Sequence, residues 1–379
     1  MIGRDDIATT LKGNMCCAPD VRQGACAVRR PWLWFMLAFL LLQGCIADPV
    51  IPPADPAGFI TSGVIVVNEG IWRQDNAGLT AYDPASHRAI QDYFGLMNPG
   101  LRLGDIANSI IAHNGNGYIA VSTSLNIEVL DLRSGRSLGR IHLSEGNEPR
   151  HIAFAGENTG YVTTFMDSVL EFDTRSLVVG RGVAAGPAPE GVAVAHGRLF
   201  VANSGFGLYR QEEPKAGMVG VFRLEDLSEE ALVPVGANPR QLLYLPMNDR
   251  LYVVYGLANS EGGLVEIDPM TLRETRRWPV MDPRCLALDL NAGVAFLGGA
   301  EGIMRINLLA DGSYPERFVL AEEWPQTIFH SIGVAPDGFV YVGAVTGYTV
   351  SGEVLIFDRE GNLRGRFPAG LNPKDYAFF

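Results

Sequence analysis

One phrase recurs along this chain about every 40 to 50 residues, a spacing typical of radial or solenoid repeat folds. A clear copy opens on Asn238-Pro239-Arg240 and continues through an apolar stretch from Gln241 to Leu245. It then runs through Arg250 to Tyr255, a Gly-rich loop, Gly263 to Asp268, and Glu274 to Val280. Each run is short, β-branched and aromatic, and each is bounded by Gly, Pro, Asn or Asp. That is the pattern of strands and turns rather than helices.

Three parts of the phrase fix the number of copies. Opening stretches follow Pro149, Pro189, Pro239, Pro283, Pro325 and Pro373. Second runs are Val64 to Val67, Tyr118 to Val121, Tyr161 to Thr164, Leu199 to Ala202, Leu251 to Val254, Val294 to Leu297 and Phe339 to Val342. Third runs end at Asp83, Asp131, Asp173, Arg223, Asp268, Asn307 and Asp358. Seven second and third runs predict an all-β fold, a seven-bladed β-propeller. The first copy enters at Val64 without an opening strand, and the chain ends on one without a blade, Asn372 to Phe379. Joining these ends removes the open seam that would leave strand edges unpaired, so a closed ring is expected, with the C-terminal strand completing the first blade.

This accounting assigns residues 62–379 to a single propeller. Upstream, Arg29-Arg30-Pro31 and the apolar run Trp32 to Leu42 have the layout of a secretory signal, and the run is short for a membrane span. It ends on Leu42-Gln43-Gly44-Cys45, which resembles a bacterial lipobox, with Cys45 the lipidated residue. Residues 1–44 read as a lipoprotein signal whose true start lies downstream of Met1, because Asp5, Asp6 and Asp20 do not suit a basic leader. Residues 45–61 carry Pro49, Pro52, Pro53 and Pro56 and read as a semi-rigid tether to a membrane. The chain has net charge −12. An acidic protein of this kind disfavours a nucleic-acid partner. Beyond Cys45 the only cysteine is Cys285, expected to be a buried structural thiol.

No catalytic or metal motif is apparent. His87, His113, His142, His151, His196 and His330 are scattered, with no CxxC pair, nucleophile elbow, P-loop or dinucleotide fingerprint. His151, beside Arg150, is the best single candidate, against the alternative of a packed histidine. The chain reads as a non-enzyme with no implied cofactor. A constellation does emerge after the repeat prolines, where the next residue is Arg150, Glu190, Arg240, Arg284, Gln326 or Lys374. Innermost strands line the channel of a propeller, so these groups are expected to converge at one mouth, four of them cationic. They would act there on an anionic or hydrogen-bonding ligand, or Glu190 would pair with a neighbouring arginine and merely hold the blades in register. Antiparallel order brings the loops between second and third runs to the same face. These loops carry Trp72, Asn203, Phe206, Tyr209, Tyr255 and Tyr348. Flat rings beside polar groups suit a ligand platform, and the alternative is that they cap the blade ends.

The runs Val66-Val-Asn-Glu-Gly70, Gly78 to Asp83, Leu103-Gly-Asp105, Glu148 to Ile152, Pro189 to Ala193 and Leu199 to Ser204 resemble the YncE-like seven-bladed propellers, especially lipoprotein members from Bacteroidetes. The resemblance extends from about Val64 to the C-terminus. It implies a lipoprotein of the outer membrane or cell surface that binds cobalamin or another corrinoid on one propeller face and passes it to a TonB-dependent outer-membrane receptor. Two other readings stay open: an envelope protein-interaction scaffold without a small-molecule ligand, and a propeller hydrolase or lactonase, which the histidine and cysteine pattern supports least.

Overall fold

The computed structural model describes residues 62–379. The signal segment 1–44, the lipidation residue Cys45 and the tether 45–61 lie outside the described residues. Seven four-stranded antiparallel sheets follow one another around a ring. Blade 1 is built from β1 (Val64–Asn68), β2 (Gly78–Asp83) and β3 (Arg88–Ile90), and blade 2 from β4 (Ala107–His113) to β7 (Ser137–His142). Blades 3 to 6 span β8 to β23, from Pro149 to Leu320, and blade 7 runs from β24 (Ile328–Val334) to β27 (Leu363–Leu371). The last strand, β28 (Pro373–Phe378), pairs with β1 as the innermost strand of blade 1.

The second runs of the phrase are continuously apolar because they are buried on both faces. In the second strand of blade 5, Leu251 and Val253 join the core between blades 4 and 5, while Tyr252 and Val254 join the core between blades 5 and 6. Seven apolar clusters result, one at each interface between neighbouring blades. Each fully buried large side chain in them contributes roughly 1.5 to 3 kcal/mol. The Asp and Asn residues that end the third runs have a different task. Asp83, Asp173, Asp268 and Asn307 accept hydrogen bonds from backbone N–H groups two or three residues on, which closes the lower turns.

Around the channel every seam between blades is bridged by an inner group reaching its neighbour. The Ser109 hydroxyl donates to the Arg150 carbonyl, Thr163 to Glu190, the Gly191 N–H to Arg240, and Ser331 to Pro373. Gln241 accepts from the Leu286 N–H, and the Asp375 carboxylate accepts from the Ile110 N–H at 2.9 Å. The weakest bridge is the Cys285 thiol, 4.0 Å from the Phe329 carbonyl. Burial pushes this thiol up to about 11 and keeps it inert, as expected of a structural cysteine.

Two features depart from the repeat. The opening strand of blade 2 starts at Ala107, not at a proline, so proline spacing alone passes over it. Blade 1 has an outer strand of only three residues, after which the chain turns into a short helix, α1 (Tyr93–Met97), packed on the core between blades 1 and 2.

Closure rests on β28. Gly63 and Phe379 exchange both backbone hydrogen bonds, at 2.8 and 3.1 Å, and Val64 to Val67 pair with Phe378 back to Asp375. Tyr376 and Ala377 also belong to the clusters on either side of blade 1. Deleting residues 372–379 is expected to cost on the order of 5 kcal/mol or more, from the lost ladder and the two opened cores. Circular dichroism melting should show a large fall in Tm, and an unchanged Tm would contradict closure by this strand.

Candidate ligand-binding face

Five of the six residues after the repeat prolines gather around the upper end of the inner strands, but they do not form a cationic rim; Gln326 does not join them, because the inner strand of blade 7 starts at Ile328 and leaves Gln326 exposed before it. Arg150 clamps Glu190 through Nε and Nη2, at 3.1 and 2.7 Å, and donates to Asn108 at 2.9 Å. Arg284 is held by Asp282 at 2.6 Å, and Lys374 lies 3.9 Å from Glu69. Arg240 is turned into the wall, donating to the carbonyls of Gly256 and Pro283. Each of the four cations therefore has a partner: Arg150, Arg284 and Lys374 face carboxylates and Arg240 faces carbonyls, so most of the positive charge at the mouth is compensated. The pairing of Glu190 with a neighbouring arginine, one of the two readings of the ring, is present.

The environment of these groups is electrostatically tight. Burial alone would raise Glu69, but Lys374, His330 and Arg150 outweigh it and hold the carboxyl down at about 2. Burial likewise opposes ionisation of Glu190, and Arg150, His151 and Lys374 overcome it, so its pKa is lowered. His151 is pulled down to about 4 by burial, despite Glu190, with Arg150 and Lys374 adding to the depression. Asp375 is pushed up to about 6 by burial, against its hydrogen bonds from the Ile110 and Tyr376 N–H groups and the charge of Lys374.

Prolines alone could not have found three of these residues. Glu69 follows a second run, not a proline. His330 stands five residues after Pro325, where its ring comes 3.4 Å from Glu69. Asn108 occupies the post-proline position of blade 2, whose inner strand opens on Ala107 in place of a proline.

The loops on the same face sort into two groups. Asn203 lies beneath the face, fully buried at the end of its strand, and offers no surface to a ligand. Tyr255 is also partly buried, with the Arg277 guanidinium 4.6 Å over its ring, so it caps the seam between blades 4 and 5. Tyr348 is exposed and meets His330 edge-on at 5.8 Å, while Trp72 is exposed beneath the Arg73 guanidinium at 4.1 Å. Phe206 and Tyr209 stack at 5.4 Å, and Phe206 meets Phe165 edge-on at 4.8 Å. Tyr209 is 83% exposed and Leu208 is 77% exposed.

Exposed rings on a long loop usually signal a loose segment, yet this loop is braced. Arg210 forks onto Asp167 of blade 3 with two bonds of 2.7 Å and onto Glu213 with two more. Gln211 donates to the Ser204 carbonyl at 2.6 Å, and the Gly207 N–H donates to Asn238. Bidentate arginine pairs of this type fix geometry as well as adding energy. A rigid loop that holds aromatic and aliphatic groups in water forms a preorganised contact surface. Among the described residues, no three His, Cys, Asp or Glu side chains are grouped to hold a metal ion.

No protein-family model and no curated protein matches the chain. Solved structures do share its fold. A quinonprotein alcohol dehydrogenase-like protein from Bacteroides thetaiotaomicron is 16% identical with a TM-score of 0.65, the alignment covering 83% of this chain and 78% of that one. A protein from Lactobacillus plantarum is 13% identical with a TM-score of 0.63, over 84% and 99% of the two chains. Hydrazine synthase from Kuenenia stuttgartiensis is 15% identical with a TM-score of 0.59, over 71% and 88%. At these identities the likeness shows the fold alone, a β-propeller, and function has to be argued from the site.

The inner groups should make stability depend on pH in opposing ways. His151 is depressed, so the unfolded chain binds more protons between about pH 4 and 6.5, and its contribution is lost as pH falls through that window. Asp375 is raised, so the native state binds more protons between about pH 4 and 6, and its contribution is lost as pH rises. The difference in stability between Asp375→Asn and wild type should move in favour of the variant, by on the order of 1 to 2 kcal/mol, from pH 4 to pH 7. Urea denaturation at the two pH values measures it, and a pH-independent difference would show that Asp375 is not burdened by burial.

Proposed function

We propose that this protein is a binding propeller which captures a ligand of mixed polarity on its upper face. The observation that carries this reading is the braced loop of blade 4, because Arg210, Gln211 and Asn238 fix a segment whose outermost groups, Leu208 and Tyr209, contribute little to the core. The largely charge-compensated mouth beside it disfavours a simple anion. It suits a ligand that combines apolar surface with neutral hydrogen-bonding groups. Cobalamin or another corrinoid, an amide-fringed macrocycle, fits that description and agrees with the YncE-like resemblance, so it is the leading candidate. In this proposal the protein is lipid-anchored through Cys45 in the cell envelope and passes the ligand to a TonB-dependent outer-membrane receptor. It performs no chemistry on the ligand.

One observation favours a second reading, an envelope scaffold that docks a protein. Leu208 and Tyr209 project outward into solvent, and exposed apolar groups rimmed by charge are common at protein interfaces.

Calorimetric titration of the purified protein with cobalamin and with cobinamide tests the first reading. Binding should weaken roughly tenfold or more in a Phe206→Ala/Tyr209→Ala variant, the loss expected when aromatic anchors are removed, while Tm stays near that of the wild type. Absence of heat with either corrinoid at high micromolar concentration would eliminate the corrinoid proposal and leave the scaffold.

A further inference from the structure

Blade 1 differs from the other six at its outer edge. Its outermost strand has three residues, whereas the outer strands of blades 2 to 7 have between five and nine. β3 pairs only with Ala81, Tyr82 and Asp83, so the upper half of β2 has no fourth strand beside it. A cavity of about 380 Å³ occupies this place, with Ser351, Gly370 and Leu371 of blade 7 on one side and the segment Leu101 to Leu103 on the other. Its size falls within the range of small-molecule sites.

Gly78, at the start of β2, lines the cavity. A Cβ added there would meet nothing within 4 Å, and the backbone does not have the positive φ that favours glycine. Among the described glycines, the others with open space around them all have positive φ. Neither conformation nor crowding therefore requires a glycine at this position, and glycine within a strand costs roughly 0.5 to 1 kcal/mol relative to alanine. What the missing side chain does is leave the cavity open.

The chemistry of the walls narrows the occupant. Leu101, half-exposed, and the partly buried Leu371 supply apolar surface, backed by the buried Leu79, Phe94 and Leu103. Asp75 and Arg102 neutralise each other at 2.7 Å. Asp92 also lines the cavity; its carboxylate lies against Gly95 in the first turn of the helix without a capping bond, and among the described residues no cation pairs with it. We propose that this cavity binds a small organic cation, an amine carried on an apolar body, with Asp92 as its counter-ion. The site is separate from the aromatic loop of blade 4, which lies across the ring, and does not depend on the ligand proposed for the upper face.

The test uses the full chain and two probes that share a phenethyl body, phenethylamine and its neutral N-acetyl amide, with binding followed by ligand-observed NMR. The amine should bind, and the neutral amide should bind roughly tenfold more weakly, the order expected when one charge-assisted contact is lost. Gly78→Val should abolish amine binding by filling the cavity while keeping Tm at or above the wild-type value. Asp92→Asn, an exposed isosteric change, should bring amine affinity down to that of the amide and keeps the test decisive if the valine variant folds poorly. The proposal is overturned if the amine does not bind, if both probes bind equally to the wild type, or if amine binding is indifferent to both substitutions.

Discussion

The pairing of the last strand with the first is the contact on which the rest of the molecule depends. In a ring of blades each apolar cluster is shared between two neighbours, so the first and last blades bury both faces only when the ring is closed. β28 closes it twice over. It completes the ladder of blade 1 through Gly63 and Phe379, and its side chains enter the clusters on both sides of that blade. Its Asp375 also reaches into blade 2. Loss of this strand would thus open two of seven cores, which is a cooperative penalty and not a local one.

Closure also organises the upper face. Inner strands that start at equivalent heights bring their first polar side chains together, and the seams between them are fixed by a girdle of hydrogen bonds from Ser109, Thr163, Gly191, Gln241, Cys285, Ser331 and Asp375. Within that frame the charged groups neutralise each other across blades. Arg150 and Glu190 come from neighbouring blades, and Glu69 and His330 meet across the closing seam. The face is therefore rigid, polar and nearly neutral at its centre. Its apolar contact area is displaced outward onto the braced loop of blade 4, and a separate cavity opens where the outer strand of blade 1 stops short.

Much of the fold was legible because the repeat is written in residues whose physics is local. The runs Leu251 to Val254 and Tyr118 to Val121 announce strands buried on both faces, and Asp83, Asp173 and Asp268 announce turns. The site was less legible. The post-proline position marked Arg150, Glu190, Arg240, Arg284 and Lys374 correctly as inner groups, but not which partner each would find. Asn203 and Tyr255 occur in loop-like sequence yet are buried or covered, because the Asn203 side chain packs against Gly186 and the Arg277 guanidinium lies over the Tyr255 ring.

What the sequence by itself determined is the seven-bladed count and the exchange of strands between the two ends, since both depend on periodicity and on strand edges that must be paired. The tertiary structure alone decided the balance of charge at the channel mouth, the bracing of Phe206 and Tyr209 by Arg210, and the cavity beside Gly78. Each of these depends on distances between residues far apart in the chain: Arg150 and Glu190 are 40 residues apart, and Arg210 and Asp167 are 43 apart. Side-chain charge is written in a sequence one residue at a time. Whether it is compensated depends on what the closed ring places beside it.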